Sequence, residues 1–164
     1  MLAIANMNAT VTLYLADGTA YPLAQTRIPA SGVAVINVNQ ALASAPANIA
    51  KHLSTFGSAT LSYNWDWQGA VMATMSSLDT TRSLQYVYPF MAPESSSMSG
   101  TMTFQGLWWK PTPASHVFVV VSNSTAAVVN AAIALQDASG ASRSTQQVSV
   151  PAHGAWRNSI HPPG

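Results

Sequence analysis

Short runs of β-branched and aromatic residues alternate with polar positions along this chain, and each run is bounded by Gly, Pro, Asn, Asp or Ser. Runs of this kind at near-regular spacing are the pattern of an all-β sandwich. They predict strands near residues 2–6, 10–15, 22–28, 32–38, 58–65, 69–76, 83–90, 101–105, 117–122, 127–135, 143–150 and 154–160. Asp17-Gly18 separates Val11–Leu15 from the next run, and Ser139-Gly140 occupies the same kind of place later. Asp-Gly is a strong hairpin signal because glycine reaches the positive φ that a tight turn demands. A single short helical stretch is expected from about Asn39, as its N-cap, to His52, with Pro46 limiting it to short pieces. It reads as a crossover between sheets.

The pattern also repeats. A shift of 122 positions lays Ile28-Pro29-Ala30-Ser31-Gly32 on Val150-Pro151-Ala152-His153-Gly154, Gly18 on Gly140, Val11 on Ile133, Leu13 on Leu135, Gln25 on Gln147 and Val38 on Ile160. Matching Pro and Gly carry more weight than matching apolar residues, since they fix backbone geometry. Ala5-Asn6 and Ser122-Asn123 correspond only if the first copy has a shorter connection. This is the signature of one supersecondary unit present twice. The first copy continues through the helix and three more strands, whereas the second is followed only by the polar tail after Ile160.

The polar, proline-bearing stretch Met91–Gly100 marks a linker, taken as 93–100, between an immunoglobulin-like sandwich at 1–92 and a partial second unit at 101–164. Half a sandwich leaves an apolar face and strand edges to be covered. Either the two parts merge into one pair of sheets, or a neighbouring chain or further sequence completes the second. The chain opens inside an apparent strand, Met1–Ala5, as a fragment of a longer polypeptide would.

Charge changes the picture. Only 7% of the residues are charged, against roughly 25% in an ordinary soluble domain. Ser, Thr, Asn and Gln must therefore solvate the surface, a composition recurrent in secreted bacterial sandwiches. The net charge is +1 without any basic run, which argues against nucleic acid as a partner. No apolar stretch approaches the ~18 residues of a membrane helix, so membrane insertion is not expected. Neither is there a basic segment followed by an apolar one at the start, so an export signal would have to lie outside this sequence. The absence of cysteine excludes disulfides, thiolate catalysis and cysteine-bound zinc.

One resemblance follows from the order of these signals: Leu2-x-x-x-Asn6, a hairpin through Asp17-Gly18 or Asp137-Ala-Ser-Gly140, an Ile/Val-Pro-Ala-x-Gly turn, a short helix, then Gly57-Ser-Ala-Thr-Leu-Ser-Tyr63 and a second hairpin. This order resembles the immunoglobulin-like β-sandwich repeats of large, uncharacterised surface proteins of Acidobacteria and similar bacteria. It covers most of the chain through turn and strand signals. It implies an extracellular or cell-surface sandwich repeat, with no catalytic residue to carry over.

Candidate chemistry is sparse. The acids are Asp17, Asp66, Asp79, Glu94 and Asp137, and no two lie close enough in sequence to suggest a carboxylate pair. His52, His116, His153 and His161 lack metal-ligand spacing, and no Gly-x-Ser-x-Gly elbow supports a hydrolase. No catalytic residue, metal site or cofactor is therefore expected. Asn8-Ala9-Thr10 and Asn123-Ser124-Thr125 match a glycosylation acceptor pattern, but polar turn residues are the plainer reading.

Aromatic residues are the sharper signal. Strand alternation places Ala59, Leu61, Tyr63, Trp65 and Trp67 on one face, and Leu84, Tyr86, Tyr88 and Phe90 form a second stripe. The first stripe reads either as a platform for sugar rings or as the core face of paired strands, and its sharing with Ala59 and Leu61 favours core. Trp108-Trp109 must point to opposite faces of any strand, so one ring is left for a contact. Trp156, in the incomplete copy, would project from a half-built sheet. Trp108, Trp109, Trp156, Tyr63, Trp65 and Trp67 are accordingly the candidate contacts for ligand or partner. The expected function is a non-catalytic structural or adhesive module assembling with copies of itself or with adjacent surface-protein domains by strand or edge complementation; the alternative is a carbohydrate-binding module for polysaccharide.

Overall fold

The computed structural model describes residues 2–3, 6–64, 71–81, 84–90 and 118–159. Among these residues the fold is mostly β, with several antiparallel sheets and two short helices. In chain order the elements are β1 (Leu2–Ala3), β2 (Met7–Leu15), β3 (Ala20–Pro22), β4 (Thr26–Ile28), α1 (Val38–Ala43), α2 (Ala47–Ala50), β5 (Gly57–Tyr63), β6 (Val71–Met72), β7 (Thr74–Asp79), β8 (Leu84–Pro89), β9 (Phe118–Ser122), β10 (Val129–Gln136), β11 (Ser142–Val150) and β12 (Ala155–Ser159).

Two compact units are resolved: Met1–Leu13 with Tyr21–Leu53 and Ala59–Glu94, and Tyr14–Ala20 with Ser54–Ser58 and Ser95–Gly164. The expected linker at 93–100 lies outside the described residues. In the first unit β2 pairs with β4, Met7 opposite Ile28 and Ala9 opposite Thr26. Leu23 N–H donates to Val11 O at 2.8 Å, so β3 and β4 run along one edge of β2 as an interrupted strand. β5 also pairs with β2, and since the first edge is taken it holds the second. Met7, Ala9 and Ile28 form the core, with Ala34, Leu61, Tyr63 and Val71 packed around them. β7 and β8 form a hairpin, Thr74 opposite Pro89 through Asp79 opposite Leu84.

Among its described residues the second unit holds two antiparallel pairs. β10 and β11 align Val129 with Val150 and Leu135 with Ser144, with an irregularity before Gln136. β9 and β12 align Phe118 with Ser159 and Ser122 with Ala155.

The 122-residue repeat reappears in three dimensions. Met7 opposite Ile28 becomes Val129 opposite Val150. Gly18 and Gly140 have φ of 88° and 85°, and Ser31 and His153 both have φ of 54°. Leu15 N–H donates to Thr19 O and Asp137 N–H to Ala141 O, each at 3.0 Å; Gly32 N–H donates to Pro29 O and Gly154 N–H to Pro151 O, each at 2.9 Å. Segments 10–38 and 132–160 thus share their hairpin and turn, and they part company after Gly32 and Gly154.

That divergence corrects one expectation. Residues 32–38 do not form a strand: Val33 makes an isolated bridge and Val35 is exposed. Their counterparts at 155–159 do form β12, because β9 lies alongside to complete the ladder. In the first unit β1, which precedes Asn6 as β9 precedes Asn123, pairs with β6, and alternating side chains alone do not make 34–37 a strand. The expected single helix is two, and its N-cap is Asn37 rather than Asn39: Asn37 Oδ1 accepts the Gln40 N–H at 3.1 Å. Pro46 sits between the helices, where it disfavours helical geometry at Ala45 and caps α2. The expected strands 22–28 and 69–76 are each interrupted, at Leu23–Gln25 and at Ala73. Strand 101–105 lies outside the described residues.

Candidate functional site

Two aspartates act within turns. Asp17 Oδ1 accepts the Thr19 N–H at 2.9 Å. Asp137 gathers more: Ser139 Oγ donates at 2.6 Å, the Ser139 and Ala141 N–H groups at 2.9 and 3.1 Å, and Arg143 pairs with Oδ2. The Ser139 hydroxyl above all, with Arg143 and the two amides, holds the Asp137 carboxyl down to about 2. This carboxylate shapes a turn.

Asn123 is the organising polar side chain of the second unit. It is buried, and its Nδ2 donates to Ala127 O at 2.6 Å, Pro151 O at 2.9 Å and Val150 O at 3.3 Å, while Oδ1 accepts from the N–H and Oγ of Thr125. A buried amide with all of its groups engaged is a clamp on the Pro151 turn. Asn6 touches the equivalent turn of the first unit from an exposed position and as an acceptor, its Oδ1 taking the Ala30 N–H at 2.9 Å. Sequence reasoning aligned these two asparagines without finding their role; the missing signal was the Pro-Ala turn that each one faces.

His153 lies in that turn. Its ring stacks on Tyr14, centroids 4.8 Å apart and planes inclined by 22°, an arrangement worth about 0.5–1.5 kcal/mol beyond burial. Among the described residues its buried Nδ1 has no hydrogen-bond partner, and the Ser58 hydroxyl reaches the His153 backbone carbonyl at 3.4 Å, not the ring. The Ser–His pairing that a hydrolase needs is not made here.

The remaining feature is a groove of ≈ 210 Å³ between the two strand pairs of the second unit, lined by Val119, Trp156, Asn158 and Ser159 on one side and Ile133, Leu135, Ser144 and Gln146 on the other. Strand register explains the lining. Trp156 opposite Val121 and Asn158 opposite Val119 share the inward face of β9–β12, and Ile133 opposite Gln146 and Leu135 opposite Ser144 share that of β10–β11. Asn158 Nδ2 donates to Gln146 Oε1 at 3.1 Å across the groove. On the outward face Arg157 lies 3.9 Å above the Phe118 ring.

Of the six expected contact residues, Trp156 is half-buried and lines this groove. Tyr63 packs beside the Met7–Ala9–Ile28 core. Trp65, Trp67, Trp108 and Trp109 lie outside the described residues. Among the described residues no three His, Asp or Glu side chains come together as metal ligands, and no helix is long and apolar enough to cross a membrane. No protein-family model, curated protein or solved structure matches the chain.

Proposed function

We propose that this chain is a non-catalytic, extracellular structural or adhesive module, an immunoglobulin-like sandwich unit followed by a partial second copy, that assembles with copies of itself or with adjacent surface-protein domains through its strand edges. The supporting observation is a difference in burial between equivalent strands. Every odd-numbered residue of β2 is buried, whereas those of its counterpart β10 are half-buried or, at Val129, exposed. Met7 is 3% exposed and its counterpart Val129 is 38% exposed. The same side-chain pattern is therefore covered in one copy and open in the other, and apolar surface left in water is the driving force for association. A charge-poor chain adds little repulsion to oppose that contact.

Light scattering coupled to size-exclusion chromatography over a hundredfold concentration range tests the reading. Mass that rises with concentration is the expected result. A monomer at every concentration overturns self-assembly.

A second reading, a carbohydrate-binding module, draws support from the groove. One indole, two amides and two hydroxyls line it without a charged group, which suits a neutral polyhydroxylated ligand of about one sugar ring. Glycan-array binding that is abolished by Trp156→Ala supports it, and equal signals from both proteins reject it.

A further inference from the structure

We propose that the tip of the β10–β11 hairpin, Ala138 to Ala141, docks on the Pro29–Val33 turn of a second copy of this chain, so that copies join head to tail. The proposal rests on the assembly reading above and adds to it a specific pair of surfaces.

The same contact is made once inside the second unit, which includes the hairpin tip Tyr14–Ala20. There the tip lies against the turn Pro151–Ala155, and Ala155 N–H donates to Ala16 O at 3.2 Å. Gly18 passes so close to the Ala152 carbonyl that a Cβ would collide with it, and a Cβ at Gly154 would crowd the Ala16 carbonyl. Backbone meets backbone here, which small residues on both sides permit.

The 122-residue repeat supplies both halves of this contact a second time. The counterparts of Ala16 and Gly18 on the tip are Ala138 and Gly140; those of Pro151, Ala152 and Gly154 on the turn are Pro29, Ala30 and Gly32. Residue types are identical at all five positions. Backbone shape is kept as well, with matching positive φ at Gly18 and Gly140 and at His153 and Ser31. Local geometry accounts for Gly140 through its φ and for Gly32 through the adjacent Pro29 ring. It places no such limit on Ala138 or Ala30.

Burial gives an independent observation. Where tip and turn meet, Ala16, Gly18, Thr19, Pro151 and Ala152 are half-buried, and Gly154 and Ala155 are buried. Among their counterparts Ala138, Gly140, Ala141, Pro29 and Ala30 are exposed, and Val33, the counterpart of Ala155, is 66% exposed. One tip is seated and one turn is filled, so each chain presents one open tip and one open turn. Surfaces that differ on the two partners form a heterologous contact, which extends into rings or open chains instead of a symmetric pair. Neither Ala138–Ala141 nor Pro29–Val33 carries a charge, so docking takes no ion out of water. The counterparts of Tyr14 and His153 are Gln136 and Ser31. The ring stack is therefore not repeated, and the contact between copies is weaker than the one within the chain.

The chain has no cysteine, so single introduced thiols report the contact. Ala138→Cys and Val33→Cys occupy exposed positions equivalent to Ala16 and Ala155. The two variants are mixed and treated with a short bismaleimide, and intact mass tells the mixed dimer from either homodimer. The mixed dimer should exceed each homodimer at least about tenfold. Adding Gly140→Asn to the Ala138→Cys chain should cut that yield at least about tenfold while changing the melting temperature little, because asparagine accepts positive φ but its Cβ would meet the Ala30 carbonyl. Equal yields of mixed dimer and homodimers, an equal yield when Leu78→Cys replaces Val33→Cys, or indifference to Gly140→Asn overturns the proposal. The two readings fail separately. Mass that rises with concentration without the mixed cross-link keeps self-assembly and removes this contact; a chain that stays monomeric by light scattering yet gives the mixed cross-link keeps the contact and loses stable assembly.

Discussion

Ile28 and Val150, 122 positions apart in sequence, are both 0% exposed and are, among the described residues, the two largest side chains to be completely buried. Each ends the strand that precedes a Pro-Ala-x-Gly turn, and each sits opposite the first residue of the strand beside it, Met7 or Val129. One pattern of packing is therefore used twice, with different neighbours on the far side. Ile28→Ala should cost about 2–5 kcal/mol, the range for emptying a closed aliphatic site. Val150→Ala removes less side chain beside the more exposed Val129 and should cost less. Urea denaturation of both variants checks the order.

Gly18 and Gly140 separate backbone strain from crowding. Both have positive φ, so alanine is strained at either position by about 1–3 kcal/mol. A Cβ at Gly140 meets nothing within 4 Å, whereas one at Gly18 would collide with the Ala152 carbonyl. Gly18→Ala should therefore be the more damaging substitution, and a comparison of melting temperatures would show it; equal losses would mean that the tip around Gly18 relaxes freely.

Replacing Asn123 by Ala removes the donors to Ala127, Pro151 and Val150 in one step. A buried group left without its partner costs about 1–3 kcal/mol, so a loss of at least about 2 kcal/mol is expected. Asn123→Asp should be worse at neutral pH, since it sets a carboxylate oxygen against carbonyl oxygens. Chemical denaturation of both variants measures the difference, and indifference to either would remove Asn123 from its role as a clamp.

Asp137 supplies a pH dependence. Its folded pKa is lowered to about 2 from an ordinary 3.8, so the folded state binds this proton less readily than the unfolded chain. The contribution is fully present above about 4 and disappears as pH falls through about 2. Carboxyl NMR titration should place the Asp137 midpoint near 2, and Ser139→Ala should raise it, because the Ser139 hydroxyl is the largest cause. High salt should weaken only the Arg143 part at this exposed site.

The hairpins, the duplicated turn and the all-β class are written into the chain locally. Asp-Gly and Pro-Ala-x-Gly restrict φ and ψ within a few residues, and period-two alternation assigns faces without reference to the rest of the fold. Asn37 as helix cap was within reach of the same reasoning, since Asn39 lies two residues away and either can accept a first-turn amide. The fate of 32–38 was not legible. Gly32–Val38 and Gly154–Ile160 carry comparable alternation, yet 34–37 is irregular whereas 155–159 pairs with β9 as a strand. Asn123 and Trp156 likewise acquire their roles from partners more than twenty residues distant. The candidate site was half visible for this reason: sequence could name an indole in an unfinished copy, but not the Gln146 amide and Ser144 hydroxyl across from it. Local backbone preference is a property of neighbouring residues and can be read in order along the chain. Strand pairing, burial and an open edge depend on which distant segment arrives alongside, and only the tertiary structure decides that.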